Sequence, residues 1–174
     1  PMIIAGGGVQ YSKATKQLKN FAEKHQIPVV ETIAGRANLT SEHSLNIGPI
    51  GVTGSDSANH IAENADVILA VGTRLQDFTT GSWTAFALDA KFISLNAGRH
   101  DAGKHMALSV VGDAKLSLDL LSKNLNYVAP KKWVLLAQDE KIKWDKYVAK
   151  NVSARNQPNS YAQAIGVVNE HCNK

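Results

Sequence analysis

The sequence predicts an α/β domain, a parallel sheet with flanking helices. Three observations predict it. Runs of consecutive apolar residues such as Val67-Ile68-Leu69-Ala70-Val71 lack the alternation of a half-solvated strand and read as strands covered on both faces. Between them lie segments whose apolar residues recur at three- and four-residue spacing, the period of an amphipathic helix. Glycine and proline punctuate the joins. Strands alternating with helices at this spacing require right-handed crossovers in one parallel sheet.

Met2-Ile3-Ile4-Ala5 is the first predicted strand, ended by Gly6-Gly7-Gly8. Ser12 is placed to cap a helix over residues 12–25, with Ala14, Leu18, Phe21 and Ala22 on one face. Residues 28–31 form a second strand and residues 32–38 a loop. Residues 39–54 read as loop, because Gly48, Pro49, Gly51 and Gly54 interrupt them. Ser55 or Asp56 then caps a helix reaching Asn64. After the apolar strand comes a long loop, residues 72–81. Residues 91–95 and 108–111 supply two further strands. Asp113 caps a helix whose Leu116, Leu120 and Leu121 are predicted to face inward. The whole is a Rossmann-like domain over residues 1–125.

Pro130 opens a charged helix with Trp133, Leu136, Trp144, Tyr147 and Val148 as its predicted apolar stripe. Residues 151–159 are polar and read as a linker. Residues 161–170 read as the first helix of another domain. The expected organisation is therefore 1–125, then 126–158 as helix and linker, then 159–174 as the start of a further unit. The chain reads as a segment of a longer polypeptide.

Composition narrows the function. The 174 residues carry a net charge of +4, with 44% hydrophobic and 20% charged residues. That balance is ordinary for a folded domain and argues against disorder. The basic residues are interleaved with acids rather than gathered in a stripe, so no nucleic-acid partner is expected. No apolar run approaches the ~20 residues that span a bilayer, so no membrane partner is expected either. Cys172 is the single cysteine, which excludes an intrachain disulfide and a thiolate metal cluster and fits a cytoplasmic location.

In a parallel sheet, ligands bind outside the carboxyl ends of the strands. Gly6-Gly7-Gly8 stands between a strand and a helix, where glycines allow backbone N–H groups to approach a phosphate. A dinucleotide fingerprint would need a third glycine at the position of Tyr11. Glu31 sits near the place of a ribose-binding acid. The alternative for this glycine run is a turn that packs strand and helix closely. Residues 51–55 could hold an anion, but they lack the Gly-Lys-Ser/Thr ending of a P-loop, and a loop with a helix cap is the better reading. For Arg74 two readings stand: a bidentate contact to a phosphate or carboxylate, or an ion pair with Asp77. His100, Asp101 and His105 have no recognised metal-ligand spacing and read as surface residues. No set of residues looks self-sufficient for catalysis, and no metal site is expected.

Four stretches taken together are familiar: Ile3-Ile4-Ala5-Gly6-Gly7-Gly8-Val9, Ile27-Pro28-Val29, Leu45-Asn46-Ile47-Gly48-Pro49-Ile50-Gly51 and Ala65-Asp66-Val67-Ile68-Leu69-Ala70-Val71-Gly72-Thr73-Arg74. Their order resembles the central domain of thiamine diphosphate (TPP) enzymes over residues 1–125. The resemblance implies the DHS-like NAD/FAD-binding version of the Rossmann-like fold. Within that family, Glu31-Thr32-Ile33-Ala34-Gly35-Arg36, Gly51-Val52-Thr53-Gly54 and residues 72–82 look most like the ring-opening hydrolases of myo-inositol catabolism, which act on trihydroxycyclohexane-1,2-dione.

What the resemblance implies is a parent enzyme using thiamine diphosphate and Mg²⁺. The cofactor would lie outside this chain, between pyrimidine-binding and diphosphate-binding domains of neighbouring subunits in a homo-oligomer. Residues 159–174, opening with Asn159-Ser160-Tyr161-Ala162-Gln163-Ala164-Ile165, look like the truncated start of that diphosphate-binding domain. The cofactor would supply the electron sink for carbon–carbon cleavage to 5-deoxyglucuronate. Some relatives bind FAD in the middle domain and often carry acids near the fourth predicted strand's end, where this chain has Ser94 and Asn96. The resemblance thus implies a vestigial nucleotide cleft at Gly6, Gly7, Gly8, Gly72, Arg74 and Asn96 and an architectural role. The alternative is a domain that binds FAD or ADP in an acetolactate synthase-like carboligase.

Overall fold

A computed structural model describes residues 1–153 and 158–172. The chain runs β1 (Met2–Ala5), α1 (Gly7–Tyr11), α2 (Thr15–His25), β2 (Val29–Glu31), β3 (Asn46–Pro49), α3 (Asp56–Glu63), β4 (Val67–Val71), α4 (Asp77–Thr80), β5 (Lys91–Asn96), α5 (Arg99–Ala102), β6 (Leu108–Val111), α6 (Ala114–Asn124), α7 (Lys131–Ser153) and α8 (Tyr161–His171). The six strands form one sheet in the order β3-β2-β1-β4-β5-β6, every neighbouring pair parallel. This is the predicted α/β, Rossmann-like architecture. The strand order reverses between β1 and β4, which places the topological switch point there.

The two sheet faces make two cores. Ile3, Ala5, Val29, Val71 and Leu95 pack under α2 and α6 with Leu18, Phe21 and Leu118. Met2, Ile4, Val30, Ile68 and Ala70 pack on the other side with Ile61, Ala62, Phe86 and Ala137. Consecutive residues of β1 thus serve opposite cores, and all four are fully buried. That double burial is why the strand lacks polar alternation.

The structure corrects four local expectations. Residues 46–49, expected as loop, are the edge strand β3, paired to β2 with a register shift at Val29/Val30. Gly48 (φ +113) and Pro49 disguise it, since both belong to edges and irregularities in strands. Ser12 does not cap α2. The glycine run instead opens the short helix α1, Ser12 ends it, and Lys13 turns through φ 52 before α2 begins. In α6 the inward side is Ala114, Leu118 and, half-buried, Leu121, whereas Leu116 and Leu120 are 65% and 61% exposed. Two leucine stripes compete on this helix, and only docking against α2 selects one. In α7 the buried positions are Val134 and Ala137, with Trp133, Trp144 and Val148 half-buried, while Leu136 and Tyr147 lie exposed.

Helix α7 packs on α3 and β3. Trp133 touches both cores and donates its indole N–H to the Pro1 carbonyl at 2.6 Å. The approach to it is tied down as well. Tyr127 O lies 2.6 Å from His25 Nδ1, and Ala129 N donates to His25 O at 2.8 Å. A carbonyl only accepts, so Nδ1 of His25 carries the proton. The expected linker, residues 151–159, begins as the end of α7, and residues 154–157 lie outside the described residues. Helix α8 starts with a capping box between Ser160 and Gln163.

Candidate functional site

At the switch point, the turn after β1 meets the turn after β4. Gly6 N donates to Val71 O at 2.9 Å, Gly8 N to Gly72 O at 2.9 Å, and Val9 N to Gly6 O at 3.2 Å. A Cβ on Gly8 would lie 2.6 Å from Gly72 Cα, and one on Gly6 would lie 2.6 Å from Thr73 Cβ. A Cβ on Gly7 would meet Ala34 O at 3.1 Å. Gly72 itself sits at φ +59, a left-handed conformation natural to glycine. The glycine run therefore brings two backbones into contact across the crevice. The three N–H groups at Gly6, Gly8 and Val9 are engaged within the protein.

Asn96 joins this arrangement from β5. Its Nδ2 donates to Thr73 O at 3.0 Å, and its Oδ1 accepts from Gly98 N at 3.0 Å. Both ends of the amide are in use, tying the β4 loop to the β5 loop. Arg74 is exposed and, among the described residues, has no hydrogen-bond or ion-pair partner. Asp77 accepts instead from Ser82 Oγ at 2.8 Å. Of the six predicted positions, Gly6, Gly8, Gly72 and Asn96 converge on the β1/β4 turns, Gly7 faces the 33–35 turn, and Arg74 stands free at the rim.

Glu31 is buried at the end of β2, and its Oε1 accepts from Leu39 N at 2.9 Å. Burial pushes its carboxyl above the usual range, while the Leu39, Ala37 and Asn38 backbone hydrogen bonds and the Arg36 charge pull the other way. Its role in this geometry is to gather the 36–39 loop. Asn38, which sequence reading passed over, completes that loop. It is buried and donates from Nδ2 to Gly6 O at 3.2 Å and Gly35 O at 2.8 Å. The one signal for it was an asparagine close behind a glycine, a common turn residue.

Residues 51–55 adopt the capped-loop form. Ser55 Oγ accepts from Ala58 N at 3.1 Å at the start of α3. Asn59 clamps Gly51 by both of its backbone groups at 3.0 Å, and Val52 N donates to Phe78 O at 3.0 Å. The loop is thereby fixed against the β4 loop. His105 Nδ1 accepts the indole N–H of Trp83 at 2.9 Å, and Asp101 pairs with Lys104 at 2.5 Å. No group of three or more His, Cys, Asp or Glu side chains among the described residues is placed to hold a metal ion. The backbone N–H groups of Gly6, Gly8 and Val9 are taken by carbonyls of the protein itself.

The sequence has counterparts among known proteins. The family model for the thiamine pyrophosphate enzyme central domain matches residues 1–121. A 3D-(3,5/4)-trihydroxycyclohexane-1,2-dione hydrolase of Clostridium tetani is 48% identical over 126 residues, 72% of this chain and 20% of the relative. One from Clostridium botulinum (strain Alaska E43 / Type E3) is 43% identical over 148 residues, 83% of this chain and 23% of the relative. One from Geobacillus thermodenitrificans is 45% identical over 130 residues, 74% of this chain and 20% of the relative. The chain thus spans 20 to 23% of the length of these relatives.

Proposed function

The chain belongs to the family of thiamine pyrophosphate enzyme central domains, and from that premise we propose that it is the non-catalytic middle domain of an enzyme that hydrolyses trihydroxycyclohexane-1,2-dione. Thiamine diphosphate, with Mg²⁺, would supply the electron sink for breaking the ring carbon–carbon bond in that enzyme. This chain's contribution is architectural. It holds a rigid carboxyl edge against the pyrimidine-binding and diphosphate-binding domains of a cytoplasmic homo-oligomer.

The observation that carries this reading is the closed switch point, where Gly8 N–H is bonded to Gly72 O at 2.9 Å. A nucleotide-binding domain keeps the N–H groups of this turn free for phosphate oxygens. Here those of Gly6, Gly8 and Val9 are spent on carbonyls of the protein, and Asn96 uses both ends of its amide to brace the next loop. The relatives named above favour the hydrolase branch over an acetolactate synthase-like carboligase. No helix among the described residues is long and apolar enough to cross a membrane.

The test is a thermal-shift titration of the chain with FAD, ADP, NAD, and thiamine diphosphate with Mg²⁺. A ligand at 100 times its dissociation constant adds about 2.7 kcal/mol. No shift is expected with any of them. A shift with FAD or ADP would overturn the architectural reading and restore the nucleotide-binding one. For the parent, turnover of trihydroxycyclohexane-1,2-dione but not of pyruvate or glyoxylate is expected, and the reverse would move it to the carboligases.

A further inference from the structure

Two loops at the carboxyl edge hold an unusual concentration of left-handed backbone. In the β4 loop these are Leu75 (φ 47), Ser82 (φ 54) and Trp83 (φ 66). In the β5 loop they are His105 (φ 59) and Met106 (φ 54). None is a glycine, so each position is held by its surroundings. Two of them, Trp83 and His105, meet in a contact between the loops. Trp83 Nε1 donates to His105 Nδ1 at 2.9 Å, and the two rings meet edge to face with centroids 4.2 Å apart. Trp83 in turn rests on Phe86 and Phe92, at 5.3 and 5.0 Å.

The hydrogen bond fixes a protonation state. An indole N–H only donates, so His105 Nδ1 must be an acceptor, and the imidazole is neutral with its proton on Nε2. We propose that Trp83 and His105 form a proton-sensitive clasp, which joins the β4 and β5 loops while His105 is neutral and parts them when it is protonated. An imidazolium has two donors and no acceptor, so the Trp83 N–H would face another N–H.

The surroundings favour the neutral form. Burial, and the charge of Lys104, hold His105 below the usual histidine range, against a backbone hydrogen bond to Leu75 that favours the cation. Lys104 is itself paired with Asp101 on the same loop. From the facing β4 loop, Arg74 and Asp77 flank Leu75 and Gln76, and from β5 Lys91 adjoins Phe92. The clasp ties the loop that leaves β4 to the one that leaves β5, and its release would free the two from each other.

The test is a pH titration of the full chain from 8 to 5, following the indole and imidazole resonances by NMR. Trp83 is assigned with Trp83→Phe. The Trp83 indole signal is expected to follow the His105 titration with a midpoint below 6.5. Its exchange with solvent should speed up about fivefold below that midpoint, the loss of one ordinary hydrogen bond. The Trp133 signal should stay still. His105→Gln, neutral at every pH, should abolish the response of Trp83. A Trp83 signal that ignores the His105 titration, or that moves with the same midpoint in His105→Gln, would overturn the clasp. The wild-type titration decides the matter even if the variant does not fold.

Discussion

The N–H of Gly8 and the carbonyl of Gly72 meet at 2.9 Å across the switch point of the sheet. This single bond closes the place where a parallel sheet would otherwise admit a phosphate. It follows that Gly8→Ala should be felt as overpacking, because its Cβ would lie 2.6 Å from Gly72 Cα. The expected loss is roughly 1–3 kcal/mol in urea denaturation. An unchanged midpoint would mean that the two turns are not in contact in solution.

Glu31 should set part of the pH dependence of stability. Burial raises its carboxyl above the ordinary glutamate value of about 4.5 in the folded state, so the folded protein holds the proton more tightly than the unfolded chain. Its contribution is complete below that value and is lost as pH rises through the folded one. Glu31→Gln cannot ionise, so it should gain stability relative to the wild type as pH climbs from about 4.5 into the neutral range. Parallel stability–pH curves for the two proteins would refute the assignment.

Arg74 should matter little to the fold. It is exposed and has no partner among the described residues, so Arg74→Ala is expected to change stability by less than about 0.5 kcal/mol. A larger loss in denaturation would show that the side chain braces the β4 loop.

Trp133→Phe should loosen α7. It removes the donor to the Pro1 carbonyl at 2.6 Å while keeping most of the apolar contact with both cores. A cost of ~1 kcal/mol is expected, together with faster amide exchange in residues 131–137. Equal exchange in the two proteins would place the anchoring of the helix elsewhere.

Much of the fold was legible because burial on two faces leaves a strong trace. Ile3 and Ile4 serve opposite cores, so β1 appears as an unbroken apolar run. The edge strand β3 left no such trace, since Gly48 and Pro49 look like a turn whenever their pairing with β2 is unknown. The glycines of the candidate site were legible as glycines, but their purpose was not. A phosphate cradle and a close backbone contact demand the same missing Cβ, and only the position of Gly72 separates them.

The sequence by itself determined the fold class, the family and the positions of the carboxyl-edge loops, because these depend on local periodicity and on short motifs that survive as strings. Tertiary structure decided the rest: which leucine stripe of α6 turns inward, where Asn96 spends its amide, and that Trp83 reaches His105 at 2.9 Å, 22 residues on. Those outcomes are set by contacts between segments far apart in the chain. No local pattern encodes such a contact, because each partner alone is equally compatible with several neighbours.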